Sequence, residues 1–211
     1  MTNKKFLYIT DEPVIKKVPE VPWMDQEGLL LFKKQANKAQ CYLEFGSGGS
    51  TIYMLKNTNA KKIISVDSDK DWVKKINESL TESLENRLHI EHCNIGQVGS
   101  WGVPRNNSHI NSYWRYMATP WEYAKKNSLK PDLVLIDGRF RVACFLYSIL
   151  AAEIGTTILF DDYVDRPEYF VVEKFCKLSS KAGRMGVFKS SQDYSTIEIC
   201  KAIAQYSVEP D

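Results

Sequence analysis

Hydrophobic positions along the chain follow two alternating rhythms. Short β-branched or apolar runs at Cys41–Phe45, Ile63–Val66, Leu88–Ile90, Leu133–Ile136 and Thr157–Phe160 predict strands. Helical spacing separates them. It is clearest at Val142, Phe145, Leu146, Ile149 and Leu150, and is repeated at Val73, Ile76 and Leu80 and at Val171, Val172, Phe175 and Leu178. An earlier helical pattern runs from about Met24 to Lys38. Near-continuous apolar strands alternating with helices imply a parallel sheet covered on both faces. The expected fold is a doubly wound α/β domain spanning 1–211, with an irregular N-terminal arm, 1–23, interrupted by Pro13, Pro19 and Pro22.

One connection breaks the rhythm. Between the third and fourth strands, residues 96–130 form a segment far longer than the usual ~2–6 residues. It carries Trp101, Tyr113, Trp114, Tyr116, Trp121 and Tyr123. Such aromatic content argues against disorder and for either a cover over a ligand site or a satellite core. Thr119, Pro120 and Glu122 predict a helix start, as N-cap, first helical residue and capping-box acid.

Composition narrows the function classes. With Lys+Arg 28 against Asp+Glu 26, a net charge of +2 gives no field to hold a nucleic acid. The longest apolar run, Phe145–Ala152, is well short of the ~20 residues that span a bilayer, and the start of the chain lacks a signal-peptide pattern. Cys41, Cys93, Cys144, Cys176 and Cys200 are widely spaced without a Cys-x-x-Cys pair. They suit reduced thiols in a cytoplasmic protein rather than a disulfide framework or a zinc site.

The first predicted strand runs directly into Gly46-Ser47-Gly48-Gly49. Glycines between a strand and a helix permit a tight turn and close approach of backbone to a ligand. The third glycine of the dinucleotide fingerprint is replaced by Thr51. Asp67 ends the second strand about 20 residues on, where a carboxylate can take both hydroxyls of a ribose. Glu44, two residues before the first glycine, points to the same crevice in this reading. It would repel a pyrophosphate and suit an ammonium group. S-adenosylmethionine combines a ribose with an ammonium and no phosphate, so the acidic pair favours it over NAD.

The run Leu43-Glu44-Phe45-Gly46-Ser47-Gly48-Gly49-Ser50-Thr51 and the later Ser65-Val66-Asp67 resemble motifs I and II of the class I S-adenosylmethionine-dependent methyltransferases. Leu135–Arg141 and Leu159–Tyr163 resemble the ends of that family's fourth and fifth strands. The resemblance implies a Rossmann-like fold and a methyltransferase. In it Glu44, Gly46 and Gly48 surround the methionine part, Phe45, Ser47, Ser50 and Thr51 complete the turn, and Asp67 holds the ribose. Asn94 lies by the adenine and Asp137 faces the cofactor.

Asp137, Asp161 and Asp162 fall at strand ends, where open parallel sheets bind ligands. Converging carboxylates need positive charge among them. One source is a Mg²⁺-like cation, as in the cation-dependent O-methyltransferases that this arrangement resembles. The other is Arg139, Arg141 and Arg166, close by in the sequence. Where those relatives have a lysine after the fourth-strand aspartate, this chain has Arg139 and Arg141. Arginine is a poor base and a good fork for a carboxylate or phosphate. The expected catalytic set is Asp137, Arg139, Asp161 and Asp162, acting on a small anionic acceptor, with O-methylation favoured. Arg141, at a helix start, either joins them or faces solvent.

Other readings remain open at this level. An NAD-dependent oxidoreductase shares the fold but sits badly with Glu44 and with Thr51 in place of the third glycine. A non-catalytic binding module would keep Glu44 and Asp67 and have no use for the strand-end aspartates. His89 and His92 read as structural, His109 as a candidate acid or base, and Trp72 as core within reach of the adenine. The segment after Asp193 has no clear pattern.

Overall fold

A computed structural model describes residues 17–211 of the chain. Of the N-terminal arm, residues 1–16, including Pro13, lie outside the described residues.

The elements follow in the order α1 (Gln26–Ala36), β1 (Cys41–Phe45), α2 (Gly49–Asn57), β2 (Lys62–Asp67), α3 (Lys70–Glu78), α4 (Glu82–Glu85), β3 (Leu88–His92), α5 (Trp114–Lys126), β4 (Leu133–Ile136), α6 (Arg141–Ala151), β5 (Thr157–Phe160), β6 (Leu178–Ala182), β7 (Met185–Lys189) and α7 (Thr196–Tyr206). The strands form one sheet in the order β3-β2-β1-β4-β5-β7-β6. The first five are parallel, and β7 and β6 add an antiparallel edge. Registers place Leu43 between Ile64 and Val134, and Phe45 between Val66 and Ile136. The fold is the expected Rossmann-like α/β sheet. The chain reverses its direction of winding between β1 and β4, the switch point where such sheets bind ligands.

Period-two alternation builds two cores. Leu43, Phe45, Val134, Ile136, Ile158 and Phe160 face one way, onto α5, α6 and α7. Tyr42, Leu133, Leu135 and Leu159 face the other way, with Phe32, Met54 and Leu55 from α1 and α2. Each fully buried large apolar side chain contributes roughly 1.5–3 kcal/mol. This two-faced burial makes the strand ends rigid supports for the loops beyond them.

Three local expectations are corrected. The helix predicted to begin at Thr119 begins at Trp114, with Pro120 inside it. Its apolar face, Tyr116, Met117, Trp121 and Ala124, is buried from the first turn onward. That packing outweighs the hydrogen bond Pro120 cannot make, and the Thr119 hydroxyl donates to the Arg115 carbonyl rather than capping. Much of the 96–130 segment is therefore the crossover helix between β3 and β4. The helical pattern at Val171–Leu178 resolves into a 3₁₀ helix, Pro167–Lys174, followed by β6, which starts at Leu178. After Asp193 the chain forms α7, with the Ser195 hydroxyl accepting from Glu198 N–H. Among the described residues no helix is long and apolar enough to cross a membrane.

Candidate active site

A crevice of about 590 Å³ opens at the switch point. One half belongs to the turns after β1 and β2. Gly46 has φ +88°, and a Cβ there would stand 2.7 Å from Gly138 Cα. A Cβ on Gly138 would reach 2.6 Å from Gly46 N and also collide with the Tyr116 hydroxyl. Only glycines allow the turns after β1 and β4 to touch in this way. Asp67 stands beside them. Its Oδ2 accepts from Ser47 N–H at 2.9 Å and Ser47 Oγ–H at 2.8 Å, and its Oδ1 accepts from Asp69 N–H at 2.9 Å. A carboxylate has about four lone-pair sites, so acceptor capacity remains. Burial raises the Asp67 pKa, with those donors opposing it. Trp72 also lines this wall and donates Nε1–H to the Ser47 carbonyl at 2.8 Å.

Glu44 does not reach the crevice, which corrects its expected place beside a ligand. It is fully buried and closed in by three hydroxyls: Tyr42 at 2.9 Å, Ser50 at 2.6 Å and Thr51 at 2.5 Å. Burial pushes its pKa up to about 7, against the pull of those donors. Thr51, in the third glycine position, accepts from Gly48 N–H at 2.9 Å and donates its hydroxyl hydrogen bond to Glu44 Oε1. Together they brace the amino end of α2. Phe45 is likewise buried in the core. Asn94 is exposed and closes a local turn by accepting from Gly96 N–H at 3.0 Å, away from the crevice walls. Gly46, Ser47, Gly48, Ser50 and Asp67 are the expected cofactor residues of this half that do line the crevice.

The other half gathers charge from β4, β5 and the β6–β7 hairpin. Asp137, Arg139, Arg141, Asp161, Asp162, Arg166 and Arg184 all line it. Arg141 is the hub. Its side chain is 5% exposed, reaching Asp137 Oδ1 at 3.3 Å and Asp162 Oδ2 at 3.2 Å. It also donates to the carbonyls of Gly138 and Asp161, each at 3.0 Å. Of the two alternatives for Arg141, the structure has it on the crevice wall and not facing solvent. Burial opposes its charge, but Asp137 and Asp162 hold its pKa above the usual arginine value. Arg166 meets Asp162 Oδ2 at 3.1 Å, and Arg184 meets Asp162 Oδ1 at 3.3 Å and Asp161 Oδ2 at 3.8 Å.

These contacts separate the two sources of positive charge left open by the sequence. Four of the six carboxylate oxygens of Asp137, Asp161 and Asp162 already face guanidiniums, and a cation among them would meet three positive neighbours. The residues present do not fit a metal, and among the described residues no group of three His, Cys, Asp or Glu stands together as a ligand set. Neutralisation is by Arg141, Arg166 and Arg184. Arg184 was missed by sequence reading: it sits in a hairpin turn far along the chain, with no motif around it. Asp25 ties that turn down, capping α1 through Gly28 N–H at 2.8 Å and accepting from Arg184 N–H at 2.7 Å.

Asp161 differs from its neighbours. Its Oδ1 is buried with no hydrogen-bond partner. Burial, then Asp137 and Asp162, raise its pKa to about 7, against Arg141 and Arg184. Trp101 (φ 58°) and Asp162 (φ 57°) on the crevice wall, and Phe140 (φ 53°) between the wall residues Arg139 and Arg141, have left-handed backbones. Each costs on the order of 1–3 kcal/mol, a strain that clusters at functional sites. Trp101 and Trp23, 58% and 72% exposed, meet edge to face at 5.7 Å on the crevice rim. The histidines lie elsewhere: His89 stacks on Tyr123 at 3.4 Å, and His109 pairs with Ser108 Oγ at 2.9 Å, outside the crevice walls.

Solved structures similar to this chain include a methyltransferase-like protein from Silicibacter pomeroyi. It is 28% identical, with a TM-score of 0.80, and the match covers 90% of this chain and 100% of that one. A methyltransferase from Geobacter sulfurreducens, 12% identical with a TM-score of 0.50, matches over 80% of each chain and bears on the fold alone. No family model and no curated protein matches the chain. With its glycine turn and Asp67 at the switch point, and with these likenesses, the chain has the fold of the class I S-adenosylmethionine-dependent methyltransferases, the family its motifs resemble.

Proposed function

We propose that the protein methylates a hydroxyl of a small acceptor, using S-adenosylmethionine as donor. The observation that carries this reading is the division of one crevice into two unlike halves. A glycine-walled half holds Asp67 with acceptor capacity to spare, and a charged half holds Asp161 with one oxygen unpartnered.

The first half fits the donor molecule. Gly46, Ser47 and Gly48 leave the wall without side-chain bulk, Asp67 would take ribose hydroxyls, and Asp137, 29% exposed at its side chain, is the carboxylate facing the methionine end in place of Glu44. When bound, S-adenosylmethionine supplies an electrophilic methyl carbon on a sulfonium and leaves as a neutral thioether. The acidic wall, with Asp67 and Asp137, disfavours the pyrophosphate of NAD.

The second half prepares the acceptor. Asp161 accepts the hydroxyl proton as oxygen attacks the methyl carbon. A base with pKa near 7 is well matched to this at neutral pH. Arg141 and Arg184 keep the carboxylate cluster from repelling itself, and Trp23 and Trp101 cover the mouth of the site. The acceptor is a small molecule in this reading: a crevice of about 590 Å³ suits one, and a net charge of +2 gives no overall field for a nucleic acid.

The test is transfer of a labelled methyl group to a panel of small hydroxylated acids. Asp161→Asn should lower turnover by about 10²–10⁴-fold, the usual share of a general base, while donor affinity stays near that of the wild type. Unchanged turnover would remove Asp161 from the mechanism.

A further inference from the structure

Arg139 stands apart from the other guanidiniums of the site. Arg141, Arg166 and Arg184 each have side-chain carboxylates within ion-pair distance; among the described residues Arg139 has none. It is 9% exposed, its Nε is buried without a partner, and its Nη1 donates to the main-chain oxygens of Pro210 and Asp211. Burial and the neighbouring Arg141 disfavour its charge, and the Asp211 carboxylate opposes them. The anion that this buried cation requires is thus supplied by Asp211.

The amino end of α6 lies beside it. Phe140, in its left-handed conformation, precedes the helix without giving a side-chain cap, and the first turn holds no acidic residue. Exposed N–H groups at a helix start carry partial positive charge and attract carboxylates. Here Arg141 N–H is met by the Asp211 side chain, at 3.3 Å to Oδ1 and 3.2 Å to Oδ2. Asp211 itself lines the same crevice as Asp161.

We propose that the pocket between Arg139 and the amino end of α6 is the acceptor's carboxylate subsite, and that Asp211 fills it as a competitor from the chain itself. This rests on the methyltransferase reading of the crevice and names the acceptor class within it, a hydroxy carboxylate. The donors favour a carboxylate over a phosphate. With Asp211 displaced, one guanidinium is left to match one negative charge, and its planar fork suits two oxygens of a planar group. An acceptor enters by displacing Asp211, so the affinity measured for it is the intrinsic one multiplied by the fraction of protein in which Asp211 has left the pocket.

The experiment is calorimetric titration of lactate, with inorganic phosphate for comparison, into protein saturated with S-adenosylhomocysteine. Asp211→Ala and Asp211→Asn should each bind lactate at least fivefold more tightly than the wild type, and Arg139→Gln at least tenfold more weakly. Phosphate should gain little from either Asp211 substitution. Unchanged or weaker lactate binding in both Asp211 variants, with melting temperatures showing that they fold, would overturn the competitor. An equal gain for phosphate would overturn the carboxylate assignment. Saturation with S-adenosylhomocysteine is itself the control: if no binding is seen in the wild type, the methyltransferase reading fails, whereas binding with unchanged lactate affinity overturns the subsite alone.

Discussion

Glu44 and Asp161 stand on opposite sides of the switch point, and burial pushes both up to a pKa of about 7. Their partners differ. Glu44 is surrounded by hydroxyls that donate to both oxygens, so its strong perturbation serves to lock β1 to α2. Asp161 has carboxylate neighbours, an unpartnered oxygen and a place on the crevice wall. Perturbed groups cluster at functional sites, but structural networks perturb them as well. The contrast teaches that the remaining hydrogen-bonding capacity, more than the shift, separates a brace from a base.

The largest expected stability effect lies on the charged side. Arg141→Met would leave Asp137 and Asp162 facing each other without their buried cation. Removing one partner of a buried pair costs about 3–5 kcal/mol, to be read by urea unfolding. A loss under 1 kcal/mol would mean that Arg166 and Arg184 carry the neutralisation without it.

A smaller effect separates the two carboxylates by pH. Both have folded pKa values above their unfolded ones, so the folded state binds protons that the unfolded state has released. Stability should therefore be greatest below about pH 4 as far as these two groups contribute, and decline as pH rises toward 7. Glu44→Gln should flatten part of that decline. Turnover should run the opposite way, rising through about pH 7 as Asp161 loses its proton, and Glu44→Gln should leave the midpoint of that rise in place. A midpoint that moves with Glu44 would merge the two roles this comparison keeps apart.

Legibility from sequence followed distance along the chain. β1, β4 and β5 were legible to the residue because doubly covered strands read as unbroken apolar runs. The glycine half of the site was legible for a related reason: its parts are contiguous, and only Asp67 comes from another strand. Glu44 was placed wrongly although a signal existed. Tyr42 and Glu44 share one face of β1, and Tyr42 belongs to the core against α1 and α2, away from the crevice. Pro120 was read by its local preference for a helix start, and tertiary burial of Tyr116 and Met117 overrode it. Arg184 and Asp211 were not legible. They reach the crevice through an antiparallel hairpin with an exposed edge strand and through the segment after α7, neither of which carries a motif.

The central claim is that one crevice has a donor half and an acceptor half, and calorimetry with S-adenosylhomocysteine tests it most directly. The account predicts binding to the wild type in preference to NAD. Asp67→Ala should weaken it by about 1–3 kcal/mol, since ribose hydroxyls would lose a charged partner, and Asp161→Asn should leave it nearly unchanged. Equal affinity for NAD, or a loss at Asp161 as large as that at Asp67, would contradict the account.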